Sequence, residues 1–214
     1  MKIPSRPTRR TRARNGGAKP SIESRLLAAS ERLLEKGHTF ATLSIEQLTT
    51  EAGISRGTFY LHFKDKGELV ARLMDFFVEE LGKNLGTWTA NAANAADAER
   101  ADVSAAVQAM LKTFKKHQTI IVAVRDTMPN DKNVEEVYFR MIDKISAMAQ
   151  KSVVTIRDRG KSRSGTTVDV ADALAKVIAL YCTYLVDKQG AAEIKRASTA
   201  LGYICESAIF ADGQ

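Results

Sequence analysis

The stretch Gly53-Ile-Ser-Arg-Gly-Thr-Phe-Tyr-Leu-His-Phe-Lys-Asp-Lys66 decides the fold of this chain. Gly53 ends one apolar helical stripe, formed by Ile45, Leu48 and Ala52. Ser44 and Gln47 stand before that stripe as a Ser-x-x-Gln capping box. Ile54 is apolar and plugs the corner, and Ser55 caps a third, short helix over about Arg56 to Phe63. Phe59 and Phe63, four apart, share one face of that helix and are expected to pack on Leu48, Ala52, Ile54 and a preceding helix. Thr58, Tyr60 and His62 are then left to the outside, short or planar groups able to reach phosphates or base edges. Residues 44–63 therefore read as helix, glycine turn, short helix, the unit that lays a helix in the major groove of DNA.

On the N-terminal side, Ser21 caps a first helix whose apolar positions Ile22, Leu26, Ala29 and Leu33 keep helical spacing up to Gly37. On the C-terminal side, Asp65 and Glu68 cap a fourth helix carrying Leu69, Leu73, Phe76, Phe77 and Leu81. Gly82, Gly86 and the Asn/Ala-rich run 90–98 predict a loop or irregular helix end over 82–98. Patterned segments follow at about 99–116, 118–128, 131–158, 168–188 and 191–211, separated by Pro129-Asn130 and by the Ser/Gly-rich 160–167. The expected fold is all-α, with about nine helices: a three-helix helix-turn-helix domain at 21–66 and a helical-bundle domain at 67–214.

The quoted segment resembles the recognition-helix signature of the TetR/AcrR family of regulators, Gly-(Val/Ile)-Ser-x-x-(Thr/Ala)-(Leu/Phe)-Tyr-x-(Tyr/His)-Phe-x-(Asn/Ser/Asp)-Lys. The resemblance extends over about residues 21–81; beyond them only length and helical layout agree. His117 to Val124 and Ile156-Arg-Asp-Arg-Gly160 are similar to the ethionamide-repressor branch. The resemblance implies a dimeric, ligand-responsive repressor of a palindromic operator in double-stranded DNA. It implies that Tyr60 and Lys66 hold phosphates, that Thr58 and His62 lie at the groove, that Ser44 clamps the backbone, and that Arg56 and Gly57 sit near bases.

Charge fits the same expectation. The net charge is +7, and residues 1–20 hold seven Lys and Arg and no acid, as many as the whole excess. Such a segment with Pro, Gly and Thr cannot bury enough apolar surface to fold alone and is expected as a disordered basic arm, drawn to phosphate. The alternative is a protein that binds DNA or an anionic surface without sequence preference, through this arm. That alternative leaves the patterned recognition segment without a purpose.

One module of this size makes few contacts, and a dimer reading two half-sites roughly 34–36 Å apart remedies that. Helix 168–188 carries Val170, Ala173, Leu174, Val177, Ile178, Leu180, Tyr181, Tyr184 and Leu185, an apolar surface broader than one stripe. Helix 191–211 carries Ile194, Ala197, Leu201, Ile204, Ala208 and Ile209 on one face. These two helices are expected at a homodimer interface, as a four-helix bundle by the family resemblance. Trp88, Met110, Phe114, Tyr138, Met141, Tyr181 and Tyr184 are candidates to line a cavity for a small apolar or amphipathic effector.

Other classes find no support in the residues. His38, His62 and His117 are scattered, so no metal site is expected; His38 and His117 read as capping or solvated. There is no His-Glu-x-x-His, P-loop, Gly-x-Ser-x-Gly or dinucleotide glycine motif, so neither enzyme nor cofactor is expected. Cys182 and Cys205 lie in apolar helical patterns, as free thiols do in a reducing cytoplasm. The start of the chain lacks a signal-peptide pattern, and Val177 to Val186 is about half of the roughly 20 residues a membrane span needs.

Overall fold

In the computed structural model, which describes residues 20–92 and 99–210 (side chains at 84–92 and 99–101 excepted), the described residues are helical almost throughout. The helices are α1 (Ile22–Glu35), α2 (Ile45–Ala52), α3 (Arg56–His62), α4 (Lys66–Ala92), α5 (Glu99–Lys116), α6 (Gln118–Thr127), α7 (Lys132–Asp158), α8 (Val168–Leu185) and α9 (Ala191–Ile209). Short 3₁₀ turns follow α6 at Met128–Asn130 and α8 at Val186–Lys188. The basic arm at 1–19 lies outside the described residues.

Local chemistry explains the N-terminal helices. Ser21 accepts from Ser24 N–H, Ser44 from Gln47 N–H, and Ser55 from Thr58 N–H, so each of the first three helices starts on a serine. Gln47 returns a bond to Ser44 N–H, which closes the capping box. At the end of α2 the chain takes φ +65° at Gly53, a left-handed conformation in which a Cβ is strained. At the start of α4, Asp65 accepts from Glu68 N–H while the Glu68 carboxylate accepts from Lys64 N–H.

α4 runs to Ala92, so the loop or irregular end expected from residue 82 is helix over 82–92; 93–98 lie outside the described residues. The reason is tertiary. Gly82 faces α7, lining a small cleft with Met141, Lys144 and Ile145, so it sits where two helices approach and needs no side chain. Packing there overrides the low helix propensity of glycine.

A single contiguous apolar cluster runs from Leu26 in α1 to Phe210 after α9. α4 belongs to both halves, packing on α1 as well as on α5, α6 and α7. α7 packs on α8 and on α4, and α5 packs on α9. Three contacts fasten the first α4 turn and the loop before α2 to the bundle. Asp126 in α6 accepts from Phe40 N–H at 3.1 Å. Lys66 faces the same Asp126 electrostatically. Gly67 lies so close to Asp131, the N-cap of α7, that a Cβ there would overlap the carboxylate at 1.8 Å.

Candidate nucleic-acid interface and effector cavity

α3 sits on the core through Phe59 and Phe63, both essentially without exposure. The rings touch each other at 5.2 Å, and the Arg72 guanidinium lies over Phe63 at 5.0 Å. Arg72 is itself held by Glu23 and Glu68. Arg25 of α1 donates to the carbonyls of Ala52 and Gly53, at 2.9 and 2.7 Å, and so pins the turn that aims α3. Sequence spacing carries no sign of that role, because an arginine on an exposed helix face is an ordinary surface residue.

Most of the expected DNA-facing residues are exposed. Ser44, Arg56, Gly57, Tyr60 and His62 are exposed, and Thr58 is half-buried. Ser44 spends an oxygen lone pair on its cap, which leaves its hydroxyl proton to offer a phosphate. Tyr60 stands edge-on to Phe59 with its ring half exposed. The Thr58 hydroxyl is shared with Ser55 at 2.9 Å, so it serves the cap as well as the surface. Leu61, unremarked in the sequence reading, is the most exposed large apolar side chain among the described residues.

Lys66 is a correction. Its ammonium donates to the carbonyls of Phe40, Ala41 and Leu43, each at 2.8 Å, which takes all three of its protons. Burial pushes its pKa down, partly offset by Asp126. The side chain is a clamp on the loop between α1 and α2, and holds no proton back for a phosphate.

The bundle corrects more. An apolar cavity of about 100 Å³ lies between α5, α7, α8 and α9, with Val103, Met110, Val153, Ile178, Cys205 and Ile209 among its walls. Of the six expected cavity residues whose side chains are described, Met110 alone lines this cavity. Phe114 is packed edge-on to Phe77 at 4.9 Å, as core. Tyr138 is buried and donates to the Thr183 hydroxyl at 3.2 Å; burial pushes its pKa up, partly offset by that bond. Met141 lines the α4–α7 cleft instead. The Tyr181 hydroxyl accepts from Gln189 at 2.6 Å, Tyr184 points outward on α8, and Trp88 lies outside the described side chains. The reason is rotational: each helix has several apolar directions, and periodicity does not say which one meets a void. Burial pushes the Cys205 thiol up to about 11, so this wall holds an inert thiol.

His117 is neither solvated nor a side-chain cap. It is buried between α4 and α6, its Nε2 is 2.8 Å from Glu80, and it packs edge-on to Phe76 and Phe77. Among the described residues, no group of three or more His, Cys, Asp or Glu could hold a metal ion. None of the described helices is long and apolar enough to cross a membrane.

The outer sides of α8 and α9 are apolar. Val177, Leu180, Tyr184 and Leu185 are exposed on α8, and Tyr203 and Ile204 on α9. The α9 face differs from the expected one: Ile194 and Ile209 turn inward, Ala197 and Leu201 are half-buried, and only Ile204 of the expected set is largely exposed. Tyr203, 71% exposed, was not anticipated.

Comparison with known proteins bears on the first helices most directly. Residues 26–73 match the model of the family "bacterial regulatory proteins, tetR family". The chain is 31% identical over 147 residues to the HTH-type transcriptional regulator EthR of Mycobacterium tuberculosis (strain H37Rv), covering 67% of this chain and 66% of that one. The match therefore spans just under two thirds of that relative's length. The fold resembles that of the fatty acid degradation regulator FadR from Bacillus halodurans, with TM-score 0.68, 12% identity, and 88% and 97% of the two chains covered. It also resembles FadR from Bacillus subtilis, solved in complex with stearoyl-CoA, with TM-score 0.65, 14% identity, and 86% and 98% covered.

Proposed function

The chain belongs to the TetR family of bacterial regulatory proteins, and from that premise we propose that it is a dimeric repressor of transcription that leaves its operator when a small apolar molecule enters the bundle. The carrying observation is α3 itself. It is a short helix capped by Ser55, held by Phe59 and Phe63, and edged by Arg56, Tyr60 and His62 on its exposed surface. Tyr60 and Ser44 are assigned to phosphates, His62 and Thr58 to the groove, and Arg56 and Gly57 to the vicinity of bases. The basic segment 1–20 is assigned to phosphate or a minor groove. The alternative, binding without sequence preference, gains nothing from the family match.

Two copies join through the outer faces of α8 and α9, where the large apolar side chains Val177, Leu180, Tyr184, Tyr203 and Ile204 are exposed. A two-fold dimer reads an inverted repeat.

The effector enters between α5, α7, α8 and α9. A cavity of about 100 Å³ is small beside the roughly 300 Å³ and more of typical ligand sites. Occupation by a larger molecule therefore spreads the helices. α4, whose first turn is fastened beside Asp126 and Asp131, carries that movement to α3. Among the described residues the walls hold no charged side chain, so the effector's buried part is apolar.

The test is selection of bound genomic DNA fragments by the purified chain. An inverted repeat with half-site centres one or two helical turns apart supports the proposal. Enrichment that follows only fragment length, and vanishes with competitor DNA, refutes it.

A further inference from the structure

α3 turns Phe59 and Phe63 into the core. At 3.6 residues per turn, the direction opposite that pair falls on Gly57 and Leu61. Tyr60 lies on one flank of this line, and Thr58 and His62 on the other. The crown of the exposed face is therefore apolar, with polar groups only beside it. Leu61 is 84% exposed, and at the adjoining Gly57 a Cβ would meet nothing closer than the Ser55 hydroxyl, at 3.6 Å. Among the described residues nothing covers this line, and no packing requirement calls for glycine at 57.

A lone exposed leucine is ordinary on a protein surface. This one stands where a helix laid in the major groove comes nearest the bases. Leucine can neither donate nor accept a hydrogen bond. The major groove presents one apolar feature to such a side chain, the C5-methyl group of thymine. Resting on the operator reading above, we propose that Leu61 is a specificity-determining residue that recognises thymine methyl groups in each half-site. The bare Cα of Gly57, one turn earlier, lets the helix approach close enough for the contact.

The experiment uses the full chain and the operator that the selection yields. Each thymine of a half-site is replaced in turn by deoxyuracil, which removes the methyl group and leaves base pairing intact. Affinity of the parent chain is expected to fall about fourfold at one or two positions, the size of one methyl group returned to water. Leu61→Ala is expected to bind the normal operator about fivefold more weakly and to show no further loss at those positions. Its melting temperature should match the parent's, because the side chain is exposed and alanine favours helix. Equal deoxyuracil losses in Leu61→Ala and the parent overturn the proposal, as does a parent indifferent to every thymine methyl in an operator it binds well. In both cases the operator reading survives. Failure to select any operator removes that reading and this inference together.

Discussion

The unit formed by α1–α3 and the bundle formed by α5–α9 are both helical, yet they are held in opposite ways. In the first, helices of 14, 8 and 7 residues each begin on a serine cap, and the turn between α2 and α3 is pinned by Arg25. The helix starts there are set by short-range polar bonds. In the bundle, α5, α7, α8 and α9 run for 18 to 27 residues, and apolar contact between distant segments places them, with polar bonds such as Tyr138 to Thr183 added between helices. Specific polar bonds set the direction of a side chain within a narrow angle, whereas apolar attraction is non-directional. A recognition surface needs the first property and a site that yields to an effector needs the second. The loosely specified half is also where the cavity lies.

The largest expected effect separates the halves completely. Leu180→Glu combined with Ile204→Glu places charge on the outer faces of α8 and α9, which the folded monomer leaves exposed. Sedimentation should show monomers with parental helix content, and operator affinity should drop by about a hundredfold or more, since one of two half-site contacts is lost. A dimeric double variant would move the interface elsewhere.

Next comes Lys66→Met, which keeps the aliphatic stem and removes the donor to three carbonyls. Unfolding free energy should fall by about 1–3 kcal/mol. Operator binding should weaken with the slope against salt unchanged. A slope smaller by about one, at unaltered stability, is the signature of a lost phosphate contact and would reverse the role assigned here.

The smallest effect tests the join between α4 and the bundle. Glu80 is held below the ordinary carboxylate range by its bond from Lys116 and then by His117. Its ionised form therefore adds stability above the unfolded value near 4.5, and that contribution fades as pH falls through the lower folded value. Glu80→Gln should cost about 1 kcal/mol at pH 7. The difference from the parent in chemical denaturation should narrow as pH falls below about 4.5. A constant difference from pH 7 to pH 3 would mean that the carboxylate's charge contributes nothing.

Legibility in the sequence followed the range of the interactions. The capping box at Ser44 and Gln47, the cap at Ser55 and the stop at Gly53 are each complete within four residues, and all stand as expected. The exposure of Tyr60 and His62 followed from two phenylalanines four apart. Lys66 was misjudged because its three acceptors lie 23 to 26 residues earlier in the chain. Phe114, Tyr138 and Met141 were misjudged as cavity walls because apolar residues pack equally well against a core or a void, and the sequence pattern is identical.

The sequence by itself determined the helices of the N-terminal unit, their caps, the inward side of α3 and the kinship that goes with them. The cause is that a helix start or a tight turn is settled by bonds among near neighbours. Only the tertiary structure decided that α4 continues past Gly82, that the Lys66 ammonium is fully engaged, that His117 is buried against Glu80, and where the bundle leaves room. Those outcomes depend on which faces of distant helices meet, and periodicity specifies only that each helix has such a face.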